Sequence, residues 1–146
     1  MINRRTAENF LQDAQEILGE AEAGLSRRQY HRAIRLSQEA FELSAKACLR
    51  AIGVEYPKEH DVSDALLGNR RKFPRWMQDS LEDVTRRSAW LAERRGPPMY
   101  GDEVKGLPAR RLFNAKDGKK AVKYAETSVR IAQRLLNDLF IIKVTD

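Results

Sequence analysis

The stretch Tyr30–Leu67, YHRAIRLSQEAFELSAKACLRAIGVEYPKEHDVSDALL, decides how this chain folds. Small or apolar residues recur at Tyr30, Ala33, Ile34, Ser37, Ala40, Phe41, Ser44, Ala45, Cys48, Leu49 and Ile52. That three-and-four spacing marks a helix buried along more than one stripe, the central member of a bundle. Gly53 stands where a left-handed C-cap is needed, and Pro57 shuts off continuation. His60 follows in a short loop, and Asp61 is placed to cap a short helix reaching Leu67.

Around this core the other helices read outward. A first helix runs from about Thr6 to Leu25, with Ala7, Phe10, Leu11, Ala14, Ile17, Leu18 and Ala21 on one side. Gly24 and Ser26 mark its exit, and Ser26 is placed to cap the second helix, so the two form an antiparallel hairpin. Pro74 suits a first helical position. A third long helix then runs to about Arg94, with Trp76, Met77, Leu81, Val84, Ser88 and Leu91 inward. Gly96-Pro97-Pro98 ends it, and the stretch to Asp117 is the longest candidate loop, of the kind that often carries function. The last helix spans roughly Asp117 to Phe140, with Ala121, Val122, Ala125, Val129, Ala132, Leu135, Leu136 and Leu139 inward. Alternation lasts only a few residues anywhere, the terminal Phe140–Val144 being the one candidate strand. The expected fold is all-α, an antiparallel four- to five-helix up-and-down bundle forming a single domain over residues 1–146.

The run Gln38-Glu39-Ala40-x-x-Leu43-x-x-Lys46-Ala47-x-Leu49-x-x-Ile52-Gly53, followed by Pro57, His60-Asp61-Val62 and Leu66-Leu67, resembles the HEPN domain. This small helical module is found widely in bacteria and archaea, and the resemblance covers nearly the whole chain. Family members include ribonucleases, toxin partners of small nucleotidyltransferases, and degenerate binding modules, so the resemblance names a fold more firmly than an activity.

Composition bounds the chemistry. The 146 residues suffice for a core without disulfides or metal. The single cysteine, Cys48, lies on the apolar side of its helix and reads as a buried reduced thiol rather than a nucleophile. No leading apolar run resembles a signal peptide and no stretch is apolar enough to cross a bilayer, so a cytoplasmic protein without a membrane partner is expected. The net charge of +6 is compatible with nucleic acid without demanding it. Arginine doublets occur at positions 4–5, 27–28, 70–71, 86–87, 94–95 and 110–111. Adjacent helical residues point about 100° apart, so a doublet can place one guanidinium in a local ion pair and the other on a different surface. For most doublets the plainer reading is a solvated, ion-paired surface; the pairs nearest a loop corner are the exceptions.

In ribonucleases of the resembled family, an Arg followed four to six residues later by a His lies where the third long helix ends. Two copies meet there across a dimer to cut RNA without metal. Such chemistry needs a group near neutral pKa to accept the ribose 2′-OH proton and a fixed cation to stabilise the phosphorane. This chain reads Arg94-Arg95-Gly96-Pro97-Pro98-Met99-Tyr100-Gly101-Asp102 at that place, with Tyr100 where histidine is expected. A phenol of pKa ~10 is a poor base at neutral pH, and Asp102, as a loop carboxylate near ~4, is a weak one. The candidate catalytic set is therefore Arg95, Tyr100 and Asp102, in a motif that reads as degenerate. The candidate nucleic-acid or nucleotide set is Arg94, Arg95, Tyr100, Arg110 and Arg111, with guanidinium groups on phosphates and the phenol stacked on a base. Two other uses of Tyr100 stay open: modification with AMP by a partner nucleotidyltransferase, as the resemblance implies, or simple packing over the loop while Arg95 pairs with Glu93, Asp102 or Glu103.

His60 is expected to pin its loop, and His31 to serve surface or capping chemistry. No metal-ligand cluster and no glycine-rich phosphate loop is present, so neither metal nor cofactor is expected. The reading is a HEPN-like homodimer whose third-helix ends approach a two-fold axis and shape a basic groove. It binds RNA or nucleotide as one half of a toxin–antitoxin or defence pair with a nucleotidyltransferase. The alternatives are an active metal-independent endoribonuclease and a non-catalytic protein-interaction module.

Overall fold

A computed structural model describes residues 2–55, 62–94, 106, 108 and 111–140. Among them are six α-helices: α1 (Ile2–Ser26), α2 (Tyr30–Ala51), α3 (Val62–Gly68), α4 (Arg75–Gln78), α5 (Leu81–Glu93) and α6 (Ala115–Phe140), with a 3-10 turn at Arg70–Lys72 between α3 and α4. No strand occurs among the described residues.

Contacts between distant residues fix the helix directions. Gly118, in the first turn of α6, lies close enough to the α1–α2 corner that a Cβ there would sit 3.0 Å from Tyr30 and 3.1 Å from Leu25. At the other end Arg4 of α1 lies over the Phe140 ring of α6. Trp76 of α4 meets Asp138, and Trp90 of α5 meets Tyr124. The order is therefore up (α1), down (α2), up (α4–α5), down (α6), with α3 in the crossover. The expected up-and-down bundle is present.

Close packing of α1 on α2 follows from alanines seven residues apart. Ala7, Ala14 and Ala21 on α1, and Ala33, Ala40 and Ala47 on α2, are wholly buried. Side chains this small let the two backbones approach, and α1–α2 is the most extensive helix pair. On its other sides α2 contributes Ile34, Phe41, Cys48 and Leu49 to a core completed by Leu66, Phe73, Met77, Leu81, Leu91 and Leu135.

Two Schellman closures terminate the first two helices. At the end of α2, Gly53 has φ +78; its N–H donates to the Arg50 carbonyl at 3.0 Å, and the Val54 N–H donates to that of Leu49 at 2.9 Å. The expected glycine cap is in place. At the end of α1, Arg28 takes the same left-handed conformation at φ 61, with Arg28 N–H to Leu25 and Gln29 N–H to Gly24. This closure extends α1 through Ser26, so Ser26 does not cap α2. Gln29 is the N-cap and makes no side-chain bond there.

The third long helix is broken where the spacing predicts continuity. Pro74 is the N-cap of α4 rather than its first helical residue. The helix stops at Gln78, and Ser80 Oγ turns back to the Met77 carbonyl at 2.8 Å. A serine that satisfies the preceding turn opens α5, and Glu82 and Asp83 complement the dipole in its first turn. Met77, Leu81, Val84, Ser88 and Leu91 are buried as expected, but Trp76 is only half-buried. Leu139 departs as well: it is 43% exposed. Asp61, His60 and residues 141–144 lie outside the described residues.

Candidate nucleic-acid interface

The backbones of α5 and α6 touch along little of their length, and side chains fill the space between them. On α5 the sequence LEDVTRRSAWLAE buries Leu81, Val84, Ser88 and Leu91 as one stripe. Arg87, Trp90 and Arg94 follow one another at three and four residues and so share an adjoining face. Lys120 and Tyr124, four apart on α6, face them.

These five side chains form one cation–aromatic cluster. The Trp90 and Tyr124 rings meet edge to face, centroids 5.5 Å apart and planes at 83°. The Arg94 guanidinium lies 3.8 Å from the Trp90 centroid, and its Nη1 donates to the Trp90 carbonyl at 2.9 Å. Lys120 Nζ is 5.0 Å from the Trp90 centroid and 5.7 Å from that of Tyr124. Arg87 lies 5.7 Å from the Tyr124 centroid. Such contacts hold a cation by the ring quadrupole without neutralising it.

Among the described residues no carboxylate pairs with Arg87 or Lys120. The nearest ion pair is Arg94 Nη1 to Glu93 Oε2 at 3.7 Å, with the Glu93 side chain 75% exposed, a geometry that contributes little. Asp83, which could have reached Arg87 one turn on, pairs instead with Arg86. The 86–87 doublet thus divides, one guanidinium to a carboxylate and one to another surface. Exposed Lys116, Lys119 and Lys123 add charge to the first turns of α6. That helix begins with a reciprocal capping box: the Asp117 N–H donates to Asn114 Oδ1 at 2.9 Å, and the Asn114 N–H to Asp117 Oδ2 at 3.3 Å. Lysines beside a helix N-terminus oppose its dipole, so the charge is concentrated against the local electrostatic preference.

Of the residues singled out from the sequence, Arg94 joins this cluster. Arg111 is exposed in the turn leading to α6, its N–H donating to the Pro108 carbonyl at 2.9 Å. Arg95, Tyr100, Asp102 and Arg110 lie outside the described residues. Sequence reasoning passed over Arg87, Trp90, Lys120 and Tyr124. The available signal was an Arg-x-x-Trp-x-x-x-Arg spacing that falls off the apolar stripe of its own helix.

Other candidate chemistry is quiet. Cys48 is buried, and burial pushes its thiol up to about 12, which leaves it protonated and unreactive. His31 is half-buried in the first turn of α2. No cluster of three or more His, Cys, Asp or Glu is placed to hold a metal among the described residues. No helix there is long and apolar enough to cross a membrane.

An all-helical up-and-down bundle with a basic, aromatic face beside the end of α5 is the class of protein that these features define. The chain belongs to the HEPN domain family, whose model matches residues 7–137. Among solved structures it is similar to the crystal structure of TT1696 from Thermus thermophilus, with a TM-score of 0.66 and 22% identity, covering 88% of this chain and 96% of that one. That likeness supports the fold. No curated protein matches the chain.

Proposed function

We propose that this HEPN protein binds RNA or nucleotide through the α5–α6 face and the corner that follows α5. In this reading it is one half of a toxin–antitoxin or defence pair with a small nucleotidyltransferase, and its nuclease motif is degenerate. The observation that carries the reading is the set of three cations, Arg87, Arg94 and Lys120, held around Trp90 and Tyr124, of which only Arg94 has a carboxylate partner among the described residues, the exposed Glu93 at 3.7 Å. Unneutralised cations fixed on one face are what a polyanion exchanges for its counterions. Arg111 is exposed in the turn leading to α6, and Arg95, Tyr100 and Arg110, which follow Arg94 in the sequence, are proposed to add to the same binding surface. With tyrosine in place of histidine the corner lacks a base near neutral pKa, so binding without cleavage is the expected activity. A homodimer that brings two such corners together would double the local charge.

The test is binding of a single-stranded RNA in EDTA, followed by fluorescence anisotropy across a salt series. Binding with the RNA intact is expected, and Arg94→Ala is expected to lower the slope of log affinity against log salt by about one. Cleavage that disappears in Arg95→Ala would assign an active ribonuclease instead. Absence of RNA binding, with a nucleotidyltransferase retained through purification, would reduce the protein to a docking module.

A further inference from the structure

We infer that the Arg87–Trp90–Arg94–Lys120–Tyr124 cluster is a phosphate receptor that does not read bases, its two aromatic rings serving to position cations rather than to stack nucleobases. The inference rests on the RNA or nucleotide reading above and names the part of the ligand that this face recognises.

The geometry argues it directly. A base stacks on an aromatic side chain by lying flat on an open ring face. The Arg94 guanidinium, 3.8 Å from the Trp90 centroid, already occupies that position, and its bond to the Trp90 carbonyl holds it there. The ring is also met by Tyr124 at 83° and by Lys120 Nζ at 5.0 Å. Tyr124 is approached in turn by Arg87 and Lys120, both 5.7 Å from its centroid. A base could take the face of Trp90 that Arg94 covers only by expelling Arg94 and breaking a hydrogen bond.

The cations themselves remain available. A guanidinium carries five N–H donors directed outward in its own plane. Stacking on an indole and one bond to a carbonyl leave most of Arg94's donors directed away from the ring. Lys120 is exposed and Arg87 half-buried, and neither has a carboxylate partner among the described residues. Three like charges held around two touching rings repel one another, and closely spaced phosphate oxygens would relieve that repulsion. Two ligands present such oxygens: the backbone of a single-stranded nucleic acid and the polyphosphate of a free nucleotide.

The experiment uses the full chain and a fluorescent single-stranded RNA 12-mer, competed separately with an abasic oligonucleotide of equal length, inorganic tripolyphosphate, and adenosine. The expected result is displacement by at least one phosphate probe and none by millimolar adenosine. Displacement by the abasic strand alone identifies a backbone ligand, and displacement by tripolyphosphate alone a nucleotide polyphosphate. Lys120→Ala and Arg87→Ala should each lower the salt slope by about one. Trp90→Ala, which keeps every charge, should weaken binding at an unchanged slope, with Trp90→Phe restoring part of the affinity. Circular dichroism verifies that each variant is folded. Displacement by adenosine, or failure of both phosphate probes against a bound RNA, overturns the inference and leaves RNA binding standing. Failure of the RNA to bind while tripolyphosphate binds directly, in a Lys120-dependent way, upholds phosphate recognition and overturns the RNA arm. Failure of all ligands overturns both readings.

Discussion

Ser44 and Ser128 meet hydroxyl to hydroxyl at 2.6 Å inside the bundle, joining α2 to α6, while Ser44 Oγ also lies 2.7 Å from the Phe41 carbonyl. A hydroxyl has one proton, so Ser44 donates to Phe41 and Ser128 donates to Ser44. Replacing Ser44 by alanine leaves the buried Ser128 hydroxyl without its acceptor and should cost about 1–3 kcal/mol in urea denaturation. The double variant, Ser44→Ala with Ser128→Ala, should recover part of that loss. Additive losses would show that the pair is not coupled.

The two left-handed helix caps predict opposite effects. Gly53 holds φ +78 without a Cβ penalty, so Gly53→Ala should destabilise by about 1 kcal/mol, roughly 3 °C in melting temperature. Arg28 holds φ 61 with a side chain, so Arg28→Gly should gain up to about 1 kcal/mol. Thermal denaturation of both variants checks the pair of signs.

Glu22 on α1 and Glu126 on α6 form a like-charged pair. The Glu22 carboxyl is held above its ordinary 4.5, first by burial, then by the charge of Glu126 and by a hydrogen bond with it. The folded state therefore retains a proton that the unfolded state releases. The associated stability is fully present below about pH 4.5 and is lost as pH rises through the folded value. Glu22→Gln should stabilise the protein at pH 7 by a few tenths of a kcal/mol, since Glu22 is exposed and screened by solvent, and should give no gain at pH 4. A gain of equal size at both pH values would assign the effect to something other than ionisation.

The Cys48 thiol, buried and raised from 9.0 to about 12, should resist an aromatic disulfide reagent at pH 8 in the native protein. One equivalent should react in guanidinium chloride, since the chain has a single cysteine. Because the folded value lies above the unfolded one, stability should also fall as pH climbs from 9 toward 12. Native reactivity at pH 8 would mean that α2 opens locally.

The divided arginine doublet supplies a control for the basic face. Arg86→Ala removes an exposed pair with Asp83 and should change stability by less than about 0.5 kcal/mol, with RNA affinity and salt slope at the wild-type level. Comparable losses of binding in Arg86→Ala and Arg87→Ala would imply diffuse attraction by net charge rather than a built site.

The helices were legible from residue spacing because burial on a helix recurs every three or four positions. Ala33 through Leu49 could be placed inside without knowing what they touch. Gly53 was legible for a related reason: a residue without a Cβ, directly after a periodic run, has a local conformational meaning. The break at Asp79–Ser80 was missed because the apolar stripe from Met77 through Leu81 to Leu91 continues across it, and the event that ends α4 is one serine hydroxyl bonding backward. Arg28 in a left-handed cap carries no composition signal at all.

Periodicity along the chain was thus enough to specify a helical bundle, since it depends on neighbours within a turn or two, while the HEPN resemblance rested on the particular residues from Gln38 to Leu67. The cation–aromatic face is of another kind. Arg87, Trp90 and Arg94 lie some thirty residues from Lys120 and Tyr124 in sequence. They meet because the bundle sets α5 and α6 antiparallel with a gap that two aromatic rings can span. Spacing within one helix tells which residues share a face but not which face lies opposite. That pairing is fixed by packing across the whole molecule.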